Sequence, residues 1–306
     1  MSRYTPEGIS ARDDIRSIEA LERAIERGTI LEAPAVLCDH NFNLHIELGL
    51  GIRAIMPREE TQYPFVNGEV KDIAILTRVG KSVCFKVLRL ERSASGEMIA
   101  ILSRRAAQRE CAQEYLSTLT PGDIIPARVT HLEGFGAFVD IGCGVNSLLS
   151  IDCISVSRIS HPSERLSVGD LIYTVVKSID ERGRIYVSEK ELLGSWEENA
   201  ALFREGQTVC GIIRSVESYG VFVELKPNLA GLAEYRDDAV AGHTAAVFIK
   251  SIIPEKMKVK LIIIDSRAAD VPREPHEYFV DVKSVTHLDS WEYSPRCCRR
   301  KIASVF

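Results

Sequence analysis

Along most of the chain, hydrophobic residues alternate with polar ones in short runs, the period-two pattern of strands that turn one face to a core. Leu44, Ile46 and Leu48 follow it in "NLHIELG" (43–49), Val139 and Ile141 in "EGFGAFVDIG" (133–142), and Val221, Val223 and Leu225 in "SYGVFVELK" (218–226). Gly, Asp, Asn and Ser separate the runs. Three stretches break the period. "DDIRSIEALERAIERG" (13–28) puts Ile15, Ile18, Leu21 and Ile25 on one helical face with Gly28 as the stop, and predicts an amphipathic helix that packs on the strands after it. "SRRAAQRECAQEYLSTLT" (103–120) and "KELLGSWEENAALFRE" (190–205) predict short helices between strand-rich regions.

Those regions are copies of one another. "GDIIPARVTHLEGFGAFVDIG" from 122 and "GQTVCGIIRSVESYGVFVELK" from 206 align 84 residues apart. The alignment pairs Gly122 with Gly206, Phe135 with Tyr219, Gly136 with Gly220, Phe138 with Phe222, Val139 with Val223 and Leu148 with Leu232. "VVKSI" (175–179) matches "FIKSI" (248–252) 73 residues apart, so the later copy has lost 11 residues from a loop, where a repeat tolerates change. An eroded copy precedes both: "GLGIRAI" (49–55) aligns with "GCGVNSL" (142–148), and residues 81–103 supply its closing pair of strands. The units run roughly over 28–105, 122–190 and 206–265. About five short strands per unit, with no long helix inside, predict small closed barrels.

Alternation buries Val139 and Ile141 and therefore turns Phe138 and Asp140 to the outer side of their strand. Phe135 joins Phe138 there through the bulge or tight bend that Gly134 and Gly136 permit. The third unit repeats the device, with Phe222 and Glu224 outward and Tyr219 beside Gly220. Paired outward rings suit stacking of unpaired bases, each stack worth ~1–3 kcal/mol; contact with a neighbouring barrel or helix is the competing use of such a patch. In "SIDERGRIYVS" (178–188) Glu181, Arg182 and Gly183 form a hairpin turn and Arg184 faces outward; Lys258 takes the corresponding place in the third unit. A cation near two rings suits a phosphate contact beside a stacked base.

Charge restricts how such binding can work. Lys and Arg number 38 against 43 Asp and Glu, a net charge of −5, so polyanions feel no pull from the whole molecule and must be held locally. The 306 residues, 45% hydrophobic, leave room for two or three domains. No signal-peptide pattern opens the chain and no run approaches the ~18 apolar residues of a membrane helix, so a cytoplasmic protein without a membrane partner is expected. Eight cysteines without a CxxC pair read as reduced, mostly buried thiols. Cys297 and Cys298, even with His276 and His287 upstream, lack the spaced pairs of a zinc site. We therefore expect no metal, no cofactor and no small-molecule substrate. No P-loop, nucleophile elbow or HExxH is present, so no enzyme is expected.

The segment 122–190, with "GD", "GFGAFVDIG", "HPSERLSVGD", "VKSIDERGRIYVS" and a trailing "WEE", resembles the RNA-binding repeat of the ribosomal protein S1 family. The likeness extends to 206–265 with its shortened loop and weakly to 28–105. It implies an all-β chain of tandem five-stranded OB-fold barrels of the S1 type joined by short helices. In that layout an N-terminal helix (1–27) precedes a divergent barrel (28–105), a linker (106–121), the best-matching barrel (122–190), a second linker (191–205), the third barrel (206–265) and an extension of unknown fold (266–306). The family's RNA-binding positions fall on Phe135, Phe138, Asp180 and Arg184, and the internal repeat puts Tyr219, Phe222 and Lys258 at corresponding RNA-binding places in the third unit. Ser150 and Glu234 stand where the family usually has a histidine, and Glu234 is set to repel phosphate. In the first unit only Phe42 and His45 lie near the aromatic positions and Pro57 replaces the histidine, which implies a docking or structural barrel.

The resemblance implies single-stranded RNA as the partner, messenger RNA foremost, in translation beside the small ribosomal subunit. The acidic charge, Glu234 and the missing histidine favour the alternative of a protein-protein adaptor with drifted barrels, serving the ribosome or RNA-processing machinery. In the extension, Tyr278, Phe279, Trp291 and Tyr293 are too many aromatics for a disordered tail, and predict that it folds back on a barrel. "YFVDVKSV" (278–285) reads as a strand and "RCCRRKIASVF" (296–306) as a short basic helix.

Overall fold

A computed structural model describes residues 4–9, 15, 17–63, 71–94, 96–268 and 276–306. The chain divides into two compact units, one of residues 1–119 with 140–146, the other of residues 120–139 with 147–306.

Among the described residues, three closed barrels of five strands account for nearly all the sheet. The first is built from β1 (Leu31–Cys38), β2 (Leu44–Ile46), β3 (Arg53–Met56), β4 (Ser82–Arg92) and β5 (Met98–Ser103). The second uses β6 (Ile124–Glu133), β7 (Gly136–Asp140), β8 (Asn146–Ser150), β9 (Leu171–Ile179) and β10 (Ile185–Ser188). The third uses β11 (Thr208–Glu217), β12 (Gly220–Lys226), β13 (Leu229–Ala233), β14 (Thr244–Ile253) and β15 (Lys258–Arg267). Each has one topology: strands one to three follow in order, the fifth runs parallel to the third, and the fourth closes between the fifth and the first. Closure pairs the edges that an open sheet of this size would leave exposed. Alternation fills the interiors, with Phe85, Leu44 and Met56 in the first barrel, Val139, Leu149 and Val187 in the second, and Val223, Val247 and Leu261 in the third.

In unit one, α1 (Ile18–Arg27) is capped by the Ser17 hydroxyl, which accepts from the Ala20 amide, and ends at Gly28 in the left-handed region (φ 59°). Leu21 and Ala24 are buried, and Ile15 and Ile25 pack against the first barrel's core. Asp13, Asp14 and Arg16 of the expected helix lie outside the described residues. A short α2 (Asp72–Leu76) crosses between β3 and β4, and α3 (Arg104–Glu114) follows β5 with Arg104, Ala107, Gln108 and Cys111 buried.

Unit two holds α4 (Ile151–Ile154) and α5 (Trp196–Ala200), the latter started by a capping box of Ser195 and Glu198. Its C-terminal segment departs from the expected elements. Residues 278–285 form no strand: the Tyr278 hydroxyl accepts from the Tyr173 amide and the Phe279 amide donates to the Leu192 carbonyl, so the chain follows the second barrel's surface. Residues 296–306 form no helix. Instead β16 (Ser290–Glu292) pairs antiparallel with β17 (Ala303–Val305), while Trp291 and Tyr293 join the third barrel's core together with Trp196. Burying those two rings requires an extended backbone at 290–293, and the last residues supply its pairing partner.

Candidate nucleic-acid interface

The β6–β7 hairpin turns through Gly134 and Phe135, and the Phe135 carbonyl accepts from the Ile151 amide at 2.9 Å. A Cβ on Gly136 would lie 2.5 Å from the Leu149 carbonyl oxygen, so glycine lets β7 approach β8 this closely. The tight bend thus aims Phe135 outward. Its side is 55% exposed, Phe138 is half-buried, and the two rings meet edge to face at 6.1 Å and 90°. The third barrel repeats this arrangement. Its turn is Ser218–Tyr219, Gly220 sits against the Ala233 carbonyl, and Tyr219, 68% exposed, meets Phe222 at 6.1 Å and 87°.

Strand register places these rings in rows across the outer face. In the third barrel Ser215, Phe222, Leu232 and Lys260 are successive neighbours on β11, β12, β13 and β15. In the second, Leu148 neighbours Tyr186, and the imidazole of His131 lies 6.4 Å from Phe138 with the planes 23° apart. His131 was not among the residues expected at the site. Its signal was positional: it precedes Phe138 by the same seven residues that separate Ser215 from Phe222. The first barrel's row is Leu37, His45, Ile55 and Ile101. There Phe42 packs against the core beneath the Arg58 guanidinium at 5.5 Å, and His45 is paired with Asp39 at 3.3 Å, so both ring positions are engaged within the barrel.

Asp180 and Arg184 come together at the β9–β10 turn. One Asp180 oxygen accepts from the Arg182 and Arg184 amides and the other from Arg184 Nε at 2.7 Å. The Arg184 amide and its side chain hold the Asp180 carboxyl below the usual carboxylate range. Asp180 thus shapes the turn that presents a half-exposed guanidinium. Lys258 and Lys260 are exposed on β15, Lys258 at the register position of Arg184. Ser150 is half-buried with its hydroxyl 3.6 Å from Cys153 Sγ, whereas Glu234 is exposed just past β13.

Asp140 and Glu224 correct a simple reading of alternation: both leave the outer side of their strands, and neither is solvent-exposed. In unit one, Asp140 accepts from the amides of Gly142, Gly144 and Glu7, beside the buried Glu7–Arg104 ion pair. Burial, reinforced by the Glu7 charge, pushes its carboxyl up to about 7. In unit two, Glu224 is clasped by Arg165 and Arg214, with Arg214 also bound to Glu164. Burial pushes the Glu224 carboxyl up, but hydrogen bonds from the two guanidiniums outweigh it and keep it below its ordinary value. Period-two alternation assigns a side chain to a side of its strand; it does not say what covers that side. Both arginines are consumed by this cluster and add nothing to the ring surface.

A family model for the S1 RNA binding domain matches residues 118–190. Small ribosomal subunit protein bS1 of Staphylococcus saprophyticus is 35% identical over 151 residues, 47% of this chain and 38% of the relative. The bS1 homolog of Bacillus subtilis is 30% identical over 228 residues, 72% of this chain and 56% of the relative. The bS1 protein of Mycobacterium tuberculosis is 29% identical over 264 residues, 80% of this chain and 51% of the relative. The chain spans 38% to 56% of the length of these relatives. Among the described residues, no helix is long and apolar enough to cross a membrane.

Proposed function

We propose that this S1-like chain, with an S1 RNA-binding domain at residues 118–190 within a run of S1 repeats, binds single-stranded RNA without catalysis. The observation that carries the proposal is the outward edge-to-face ring pair, built twice in the same register. Phe135 and Phe138 stack bases on the second barrel, Asp180 sets the turn, and Arg184 meets a phosphate. Tyr219, Phe222 and Lys258 do the same on the third, with Glu234 weakening that site by repulsion. Stacking accepts any base, so sequence preference is slight, and affinity gains from linking the two sites. The bS1 relatives support a role in translation, in the cytoplasm beside the small ribosomal subunit, with messenger RNA as the strand held.

The test is titration of labelled single-stranded RNA into the Phe135→Ala/Phe138→Ala double variant. Affinity should fall at least about thirtyfold, the loss expected for two stacks, with the circular dichroism spectrum unchanged. A titration curve that overlays the parent's would end this reading.

A further inference from the structure

The second and third barrels share a ring pair and a topology, yet differ at the first position of the outward row, His131 in one and Ser215 in the other. Phe138 therefore has two ring neighbours where Phe222 has one. Phe135 meets it edge-on, while the imidazole lies near-parallel to it and offset, an arrangement within the usual range for stacked rings. The His131 side chain is 61% exposed, and its Nε2–H donates to Glu133 at 2.7 Å, which orients the ring. Barrel architecture does not demand a ring here, because the third barrel builds the same strand pair around serine.

We propose that His131 is a further RNA-binding residue, stacking with the base held on Phe138 and making the second barrel the stronger of the two RNA sites. This rests on the stacking function proposed above and adds a residue to it. A base seated on Phe138 meets the imidazole beside it, so barrel two offers a wider aromatic shelf than barrel three. At the far end of the row Tyr186 of barrel two has Lys260 as its counterpart in barrel three, so barrel three loses a ring at both positions, to serine at one and to a cation at the other, and leans more on phosphate contacts.

The experiment uses the full chain and a short fluorescent oligouridylate. His131→Ala should weaken binding about fivefold, the lower end of what one base stack supplies, and His131→Phe should retain the parent affinity because a ring remains. Ser215→His, made in the Phe135→Ala/Phe138→Ala background, should strengthen the residual binding through barrel three. Unchanged affinity in His131→Ala, beside a clear loss in Phe138→Ala, overturns the role of His131 and leaves the stacking function standing. If Phe138→Ala loses nothing either, the stacking function itself fails. Equal losses in His131→Phe and His131→Ala also overturn the inference, since the ring would then not be what matters.

Discussion

Glu224 projects from the outer side of β12 and is nonetheless buried, because Arg165 and Arg214 both close on its carboxylate. Replacing one member of such a cluster leaves the others desolvated without their counter-charge, which is far costlier than losing a surface pair. Glu224→Gln should therefore destabilise unit two by ~3–5 kcal/mol, read as a lower urea midpoint at neutral pH with the slope retained. A midpoint within error of the parent's would show that the cluster contributes no net stability. At this scale the rings were legible from alternation and glycine placement alone, since both are properties of a few consecutive residues. His131 was not. Its place beside Phe138 depends on the pairing of β6 with β7, and the seven-residue spacing it shares with Ser215 and Phe222 marks a register position without showing that a ring there meets Phe138.

The C-terminal segment shows the same divide among elements. Its aromatics predicted that it folds back, and they do anchor it, Tyr278 on the second barrel, Phe279 on the 190–194 segment that follows it, and Trp291 and Tyr293 in the third barrel's core. Its secondary structure was misread because docking sites on another surface, rather than local propensity, dictate the backbone path. A titratable contact adjoins these anchors. His276 Nδ1 lies 2.6 Å from an oxygen of the buried Glu189. Burial alone would lower the imidazole's value, but the Glu189 hydrogen bond and charge outweigh it and raise it above 6.5. A raised folded value means that the pair's stabilisation is complete below pH 6.5 and fades as pH rises through the elevated value. Amide exchange at 278–280, corrected for the intrinsic pH dependence, should accelerate from pH 6 to pH 9 in the parent and not in His276→Gln. Equal protection across that range would rule the pair out as an anchor.

For the whole molecule, a net charge of −5 means that attraction to RNA comes from a few placed cations and not from a basic coat. With Arg184, Lys258 and Lys260 as the cations on the outward faces, few counterions are released on binding. The slope of log affinity against log salt should then be no steeper than about −2, at about −0.7 per neutralised phosphate of a single strand. A slope several times steeper would point to a basic surface other than these rows. By itself the sequence determined the number of barrels, the strands that face inward, and the glycine bends that turn Phe135 and Tyr219 outward. Each of these follows from a short period or a tandem repeat. Only the tertiary structure decided that Asp140 and Glu224 are covered, that His131 joins Phe138, and where the last thirty or so residues run. Those outcomes hang on contacts between residues far apart in the chain, where each side chain's surroundings come from segments that its own neighbours in sequence do not specify.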